Sequence, residues 1–397
     1  MTGPSPRRIH KFAAGPLRLR PYLLSPGDGR RQGRLSAPDL YWSLLIGQIL
    51  RVSSFHGVEA LVGSVPPGSL QVTAKFSDDA LDYFTERLDP DVTRQAAAQA
   101  ILRAKRNKAF DGTAFIGLAI DGTSGGHCRD QHCSLCRPQR DQSKQITGYR
   151  HHCSMISVVG CGLSLPFDVE PYGPGDSEYG ASQRLLKRAV DNLGPRFADY
   201  VVADGEYATA PFLNAATKLG LPVVARLKGN LPDLFAAAQQ RFRDKPPQHR
   251  FRDGQDRVEI WEADDFDPWE SLTWETVRVI RYRQIKLNGE VVEAYWLTNF
   301  SRRRVPARTL YRMAKSRWEI ENQGFNDAKN RHGMEHICHH LENSLLVQWL
   351  ITVFALTIER LYRLRFLHRG KHPLYSAIQL VRLLWISLGR PWRGDTS

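Results

Sequence analysis

The sequence predicts an α/β fold with a mostly β insertion and helical regions at both ends. Three observations predict it. Between residues 108 and 228 short apolar runs alternate with stretches of helical spacing. Residues 229–303 break that alternation with strand-like segments in succession. Residues 36–107 and 343–397 carry helix caps and helical periodicity.

Composition sets the bounds first. The chain has 397 residues, 42% apolar and 10% aromatic, enough for a sizeable core. Its formal charge of +14 favours polyanionic partners such as nucleic acid or an anionic surface. The first 20 residues hold charges but no apolar stretch of signal-peptide length, so a cytoplasmic protein is expected. The longest apolar run, Leu345 to Ile358, contains Gln348 and gives way to Glu359 and Arg360. It is short for a span of about 20 residues, so it reads as a buried helix with no membrane partner.

In chain order, residues 1–35 are rich in Arg, Pro and Gly without apolar period, which suggests a flexible basic arm. A helical region over 36–107, expected to bind DNA, follows. Ser36 caps a first helix through Phe55 with Pro38 in its first turn, Ser77 opens a second, and Asp89-Pro90 a third. The third ends in Arg103, Lys105, Arg106 and Lys108, which could lie on phosphates.

From Thr113 the pattern changes. TAFIGLAIDGT (113–123) is a strand ending in Asp121, and HHCSMISVVG (151–160) and LSLPFDVEPY (163–172) form a hairpin. Residues 181–192 read as helix, 200–204 as strand, 208–219 as helix and 221–227 as strand. Three antiparallel strands followed by αβαβ is the order of the ribonuclease H fold, in which the first and fourth strands are neighbours. That adjacency would bring Asp121 beside Asp204. The insertion over 229–303 starts with a helix and continues as strands at 258–261, 273–285 and 291–300, with Asn288-Gly289 as a hairpin turn. The core is completed over 304–342 by a helix from Ala307 through Lys329, and 343–397 forms a C-terminal helical region.

Three carboxylates then stand out. YVVADGEY (200–207) repeats the design of the opening strand, an apolar run ending in Asp-Gly at Asp204. In RWEIENQGFNDAKNRHGMEH (317–336), Glu319 and Glu321 cannot share a helix face, because two residues amount to about 200° of rotation. Arg317, Glu321, Phe325 and Lys329 are spaced by four, and Phe325 would anchor their face to the core, which selects Glu321.

Asp121 in AIDGT, Asp204 in ADGEY and Glu321 in RWEIEN resemble the three carboxylates of the DDE transposases of bacterial insertion sequences. The resemblance is nearest to the insertion-sequence-four type, which carries a β-rich insertion between the second Asp and the Glu. In that branch the Glu helix bears a Tyr-Arg-Glu-Lys signature, which Arg317 and Glu321 fit in spacing. Tyr311 lies six residues before Arg317 rather than three, and Lys329 eight after Glu321 rather than seven.

The resemblance implies cleavage at transposon ends and strand transfer into target DNA, by a protein working on the bacterial nucleoid as a dimer or larger assembly. It implies two Mg²⁺ or Mn²⁺ ions, with Asp121 bridging both, Asp204 binding one and Glu321 the other, and with Arg317 and Lys329 on DNA phosphates. The chemistry agrees: phosphodiester transfer needs one oxygen activated and another stabilised, which two Mg²⁺ on carboxylates achieve. Two other readings share these residues, a non-catalytic DNA-binding derivative and a nuclease without strand transfer.

HCRDQHCSLC (127–136) spaces Cys128, Cys133 and Cys136 as C-x4-C-x2-C. This suits a structural zinc site, with the fourth ligand open among neighbouring histidines and Cys153, and His151 as candidate. The run of His332, His336, His339 and His340 reads as a phosphate-facing or solvated segment.

Overall fold

The computed structural model describes residues 3–31, 33–364 and 375–390. The first of these are already helical, in α1 (Pro6–Ala14) and α2 (Arg20–Leu24). The flexible arm expected over 1–35 is therefore not found, with residues 1, 2 and 32 outside the described ones. Ile9, Phe12 and Ala13 fall at helical spacing on one face and are buried, as are Leu17, Leu19 and Leu23. So short an apolar stripe is hard to see among Arg and Pro.

Helix α3 (Ala37–Ile49) begins as expected, with the Ser36 hydroxyl accepting from the Asp39 N–H. It does not run to Phe55. Arg51 takes φ 67°, which breaks the helix, and Ser54 caps a new one, α4 (Phe55–Ser64). Helices α5 (Asp78–Arg87) and α6 (Pro90–Arg106) follow, the latter capped by Asp89. At the basic end of α6, Lys105 is exposed, and its ammonium donates to the Phe197 carbonyl at 2.7 Å.

The central part contains β1 (Gly117–Cys128), β2 (Arg137–Arg140), β3 (Ile146–Val159), β4 (Leu165–Tyr172), α7 (Glu178–Leu193), β5 (Tyr200–Ala203), α8 (Ala210–Lys218) and β6 (Val223–Leu227). β1, β3 and β4 are antiparallel, while β1, β5 and β6 are parallel, which is the ribonuclease H order. After α9 (Pro232–Phe242), strands β7 (His249–Asp253), β8 (Asp256–Phe266), β9 (Val277–Ile285) and β10 (Val291–Thr298) extend the same sheet, because β10 pairs with β6. Its order is β2-β3-β1-β5-β6-β10-β9-β8-β7, with β4 on β3. β2 and β7 are short and polar, and periodicity alone did not predict them.

The polypeptide then runs through α10 (Ala307–Lys315), α11 (Arg317–Glu319), a π turn (Ile320–Phe325), α12 (Asn326–Asn330), α13 (Glu342–Leu364) and α14 (Ala377–Ser387). Within the expected C-terminal helical region, residues 365–374 and 391–397 lie outside the described ones.

Alternation along the strands sorts side chains into two cores, one on each face. Leu118, Ile120, Val201 and Ala203 belong to the first, with α7, α8 and the N-terminal helices. Ala119, Val202 and Val224 belong to the second, with α10, Ile320, Phe325 and Ala328. Helix α13 is long and apolar enough to cross a membrane, yet 94% of its most apolar window is buried in the protein. It packs on β4, α3, α5 and α6, a core helix as expected.

The helices of 36–107 thus share one continuous core with the sheet rather than forming a body of their own. Buried ions fasten them: Arg94 of α6 donates to Asp168 of β4 at 3.1 Å, and Arg188 of α7 to the same carboxylate at 2.7 Å. Removing one partner from such a buried group costs about 3–5 kcal/mol.

Candidate active site

Asp121 does not end its strand, since β1 runs on to Cys128. What ends beside it is β5. The parallel register pairs Gly117 with Tyr200, Leu118 with Val201 and Ala119 with Val202, and two residues further on Asp121 stands opposite Asp204. Neighbouring strands lie about 4.8 Å apart, so the two carboxylates are held side by side. Strand alternation puts Asp121 on the face of Ala119 and Asp204 on that of Val202. Both therefore look toward the face that carries the helix of Glu321.

One guanidinium joins two of the acids. Arg317, only 5% exposed, donates to the two Glu321 carboxylate oxygens at 2.7 and 3.2 Å and lies 3.5 Å from Asp121 Oδ2. Glu319 turns the other way and accepts from the Gly160 N–H at 3.0 Å, as the rotation argument requires.

The π turn explains the position of Lys329. The Asn326 N–H donates to the carbonyl of Glu321, five residues back, so this turn absorbs one residue more than an α-turn. Lys329, eight residues after Glu321, consequently stands where the seventh would in an unbroken helix. It pairs with Glu335 at 3.2 Å, and its charge reaches His152 and Cys153 on β3. Tyr311 is buried elsewhere, its hydroxyl donating to Asp253 at 2.8 Å.

The two Asp differ electrically. Burial pushes the Asp121 carboxyl up to about 7, with the Glu321 and Glu178 charges adding, against the pull of Arg317 and of the Gly122 N–H at 2.9 Å. At Asp204 burial also pushes upward, but Lys228 at 2.6 Å, the Gly205 N–H and Arg317 outweigh it and hold the carboxyl below its ordinary range. Near neutral pH Asp204 is ionised and Asp121 is poised.

Sequence reasoning missed Glu178. It is the first residue of α7, and its carboxylate accepts from Tyr207 at 2.7 Å and Tyr172 at 2.9 Å. A Cβ on Gly122 would lie 2.0 Å from that carboxylate, so a fourth acid packs on the residue next to Asp121. In the sequence, Ser177-Glu178 looks like any helix start, and only the fold brings it here.

Further along the β1–β3 pair, three of the four predicted thiol and imidazole ligands converge. Cys133 Sγ and Cys136 Sγ are 3.6 Å apart, and His151 Nε2 lies 3.1 and 3.4 Å from them. Cys128, at the far end of β1, stays outside this group. Cys153 is buried in the second core. The histidine run is not a uniformly solvated segment: His332 is fully buried, hydrogen-bonded to the Gln48 carbonyl at 3.0 Å and set against Arg51 and Glu359, whereas His336 is exposed.

A family model described as Transposase DDE domain matches residues 113–358, more than half of the chain. No protein of curated function matches it in sequence. Among solved structures, the piggyBac transposase synaptic complex with hairpin DNA is similar at 11% identity and a TM-score of 0.47, over 99% of this chain and 83% of that one.

Proposed function

Because the chain belongs to the DDE transposase family, we propose that it is a DNA transposase whose catalytic acids are Asp121, Asp204 and Glu321. It cleaves DNA at transposon ends and joins them to target DNA. The observation that carries this assignment is the meeting of Asp121 and Asp204 on adjacent strands with Glu321, tied to Asp121 through Arg317, on the face above. Within the family we place it with the insertion-sequence-four type, supported by the β-rich stretch between Asp204 and Glu321 and by the Arg317 to Glu321 spacing.

The donor set fits divalent magnesium or manganese. All three side chains offer oxygen, the ligand hard cations prefer. Arg317 already bridges Asp121 and Glu321 as a cation would, so the site is built to hold positive charge between them. Asp121 with Asp204, and Asp121 with Glu321, would hold the two ions. Bound there, they would activate the attacking oxygen and stabilise the leaving one.

The protein's own residues do the rest. The sheet fixes Asp121 and Asp204 to a common face, and Lys228 keeps Asp204 ionised. Divalent cations held there would favour the ionised form of Asp121, whose carboxyl burial and the neighbouring acids push up to about 7 against the pull of Arg317 and the Gly122 N–H. Arg317 and Lys329, one turn before and two turns after Glu321, suit the phosphates flanking the cut.

The test is a cleavage and joining assay with purified protein, a labelled element end, and Mg²⁺ or Mn²⁺. Cleavage followed by joining, both absent in Asp121→Ala, is expected. Cleavage without joining would leave a nuclease, and cleavage surviving Asp121→Ala would overturn the site.

A further inference from the structure

The cluster of Cys133, Cys136 and His151 plays no part in the reaction above. Its spacing is nonetheless that of a metal site. A tetrahedral zinc with bonds of about 2.3 Å to sulfur and about 2.0 Å to nitrogen separates two thiolates by about 3.8 Å, and a thiolate from an imidazole nitrogen by about 3.5 Å. The observed 3.6, 3.1 and 3.4 Å are close to that figure. Cys136 and His151 are buried while Cys133 is half-buried, so the pocket is shielded.

Three donors leave one position to fill, and three side chains are near. Cys128 pairs with Tyr149 across the sheet, which makes it a diagonal neighbour of His151 about 7–8 Å away, and its buried thiol is close enough to Cys136 for their charges to interact. His132 is exposed and lies against His340, with ring centroids 4.2 Å apart. The His340 ring centroid is 6.4 Å from that of His151, and its Nδ1 is buried with no hydrogen-bond partner among the described residues, although its ring nitrogens, like the Cys128 thiol, stand outside the group of ligand atoms within 4.8 Å of one another and must swing inward to reach a shared ion. A buried ring nitrogen without a partner calls for an explanation, and a metal beside it supplies one.

We propose that Cys133, Cys136, His151 and His340 bind one structural zinc ion that clamps the loop after β1 to the segment joining α12 and α13. The two thiols ionise on binding and release their protons to solvent, so the S₂N₂ site is neutral with Zn²⁺ in place. The segment that contributes His340 follows the helix of Glu321, and the hairpin that contributes His151 pairs with the strand of Asp121. The ion therefore ties together the two parts of the chain that carry opposite sides of the acid site. A hydrogen bond from Ser134 to Glu342 already docks the loop on the start of α13. The proposal stands on this cluster and does not depend on the transposase reading.

The test uses the full-length protein with Asp121→Ala, so that the carboxylate site is silent, stripped of metal and titrated with Co²⁺ and then Zn²⁺. One equivalent of cobalt giving tetrahedral thiolate absorption, displaced by one equivalent of zinc, is expected, and its absence would overturn the site. Cys133→Ser should abolish it. His340→Gln should weaken zinc binding at least about 100-fold, more than the loss of an outer partner typically costs, while Cys128→Ser and His132→Gln change it by less than about threefold. His340→Cys should bind zinc again, with stronger thiolate absorption in the cobalt form than the parent shows. A loss in Cys128→Ser or His132→Gln as large as that in His340→Gln would overturn the fourth ligand, as would failure of His340→Cys to bind. Hydrogen exchange over residues 331–341 should slow on adding zinc, and slowing confined to residues 128–136 would overturn the clamp.

Discussion

The acid site and the thiol-imidazole cluster lie on the same antiparallel pair of strands, β1 and β3, yet they are built in different ways. The acids are placed by strand register and side-chain parity, with a helix laid across from the other side of the chain. The thiols and imidazole are placed by a loop, Cys133 to Cys136, folded back onto β3. The acid site offers only oxygen and holds a guanidinium between two carboxylates, whereas the cluster offers sulfur and nitrogen in a shielded pocket. On the two proposals above, donor softness would direct hard cations to one and zinc to the other.

The largest effect expected is on activity. Asp121→Ala or Glu321→Ala should reduce DNA cleavage by at least about 10³-fold, as loss of a reacting-centre residue commonly does. The cobalt-thiolate absorption should be unchanged in both. Loss of that absorption would mean that the two sites are one.

Next comes the protonation of Asp121. An acid whose carboxyl is raised from 3.8 to about 7 in the folded state keeps its proton while the unfolded chain gives it up. Its contribution to stability is therefore lost as pH rises from about 4 through about 7, and is flat outside that window. Asp121→Asn should stabilise the metal-free protein at pH 8 by on the order of 3 kcal/mol and leave it unchanged near pH 3.5. Denaturant unfolding at the two pH values measures this, and equal shifts at both would show that the carboxyl is not raised.

A smaller effect tests how closely the fourth acid packs. Gly122→Ala places a Cβ 2.0 Å from the Glu178 carboxylate, so the helix start or the strand must move. We expect a loss of about 1–3 kcal/mol by thermal or denaturant unfolding. Gly63→Ala, in α4 with open space around it, should instead gain up to about 1 kcal/mol. A neutral Gly122→Ala would remove Glu178 from the site.

The smallest effect belongs to the π turn. Deleting exposed Asn322 should turn it into ordinary α-helix and leave Lys329 on the face of Glu321. Cleavage within about tenfold of wild type is expected, because one turn absorbs one residue either way. A folded deletion protein without activity would show that the π turn does more than restore spacing.

Much of this was legible in the sequence, for identifiable reasons. The β1, β3, β4 and β5 strands announce themselves through apolar runs bounded by Gly and Asp, and the choice of Glu321 over Glu319 follows from helical rotation alone. The helical arm at Ile9 and Phe12 was not legible, because two large apolar residues on one short helix make too weak a period. The polar strands β2 and β7 were not, because they gain their place from partners rather than from their own side chains. Glu178 escaped because its proximity to Gly122 depends on how α7 returns over the sheet.

By itself the sequence determined the alternation of strands and helices, the three acids and the cysteine spacing, since local periodicity and turn chemistry act over neighbouring residues. Only the tertiary structure decided that Asp121 stands opposite Asp204, that Arg317 joins Asp121 to Glu321, and that His340 approaches His151 across the fold. Those relations join residues 83 to 196 positions apart. Their distances are set by strand register and helix packing, which no local pattern encodes.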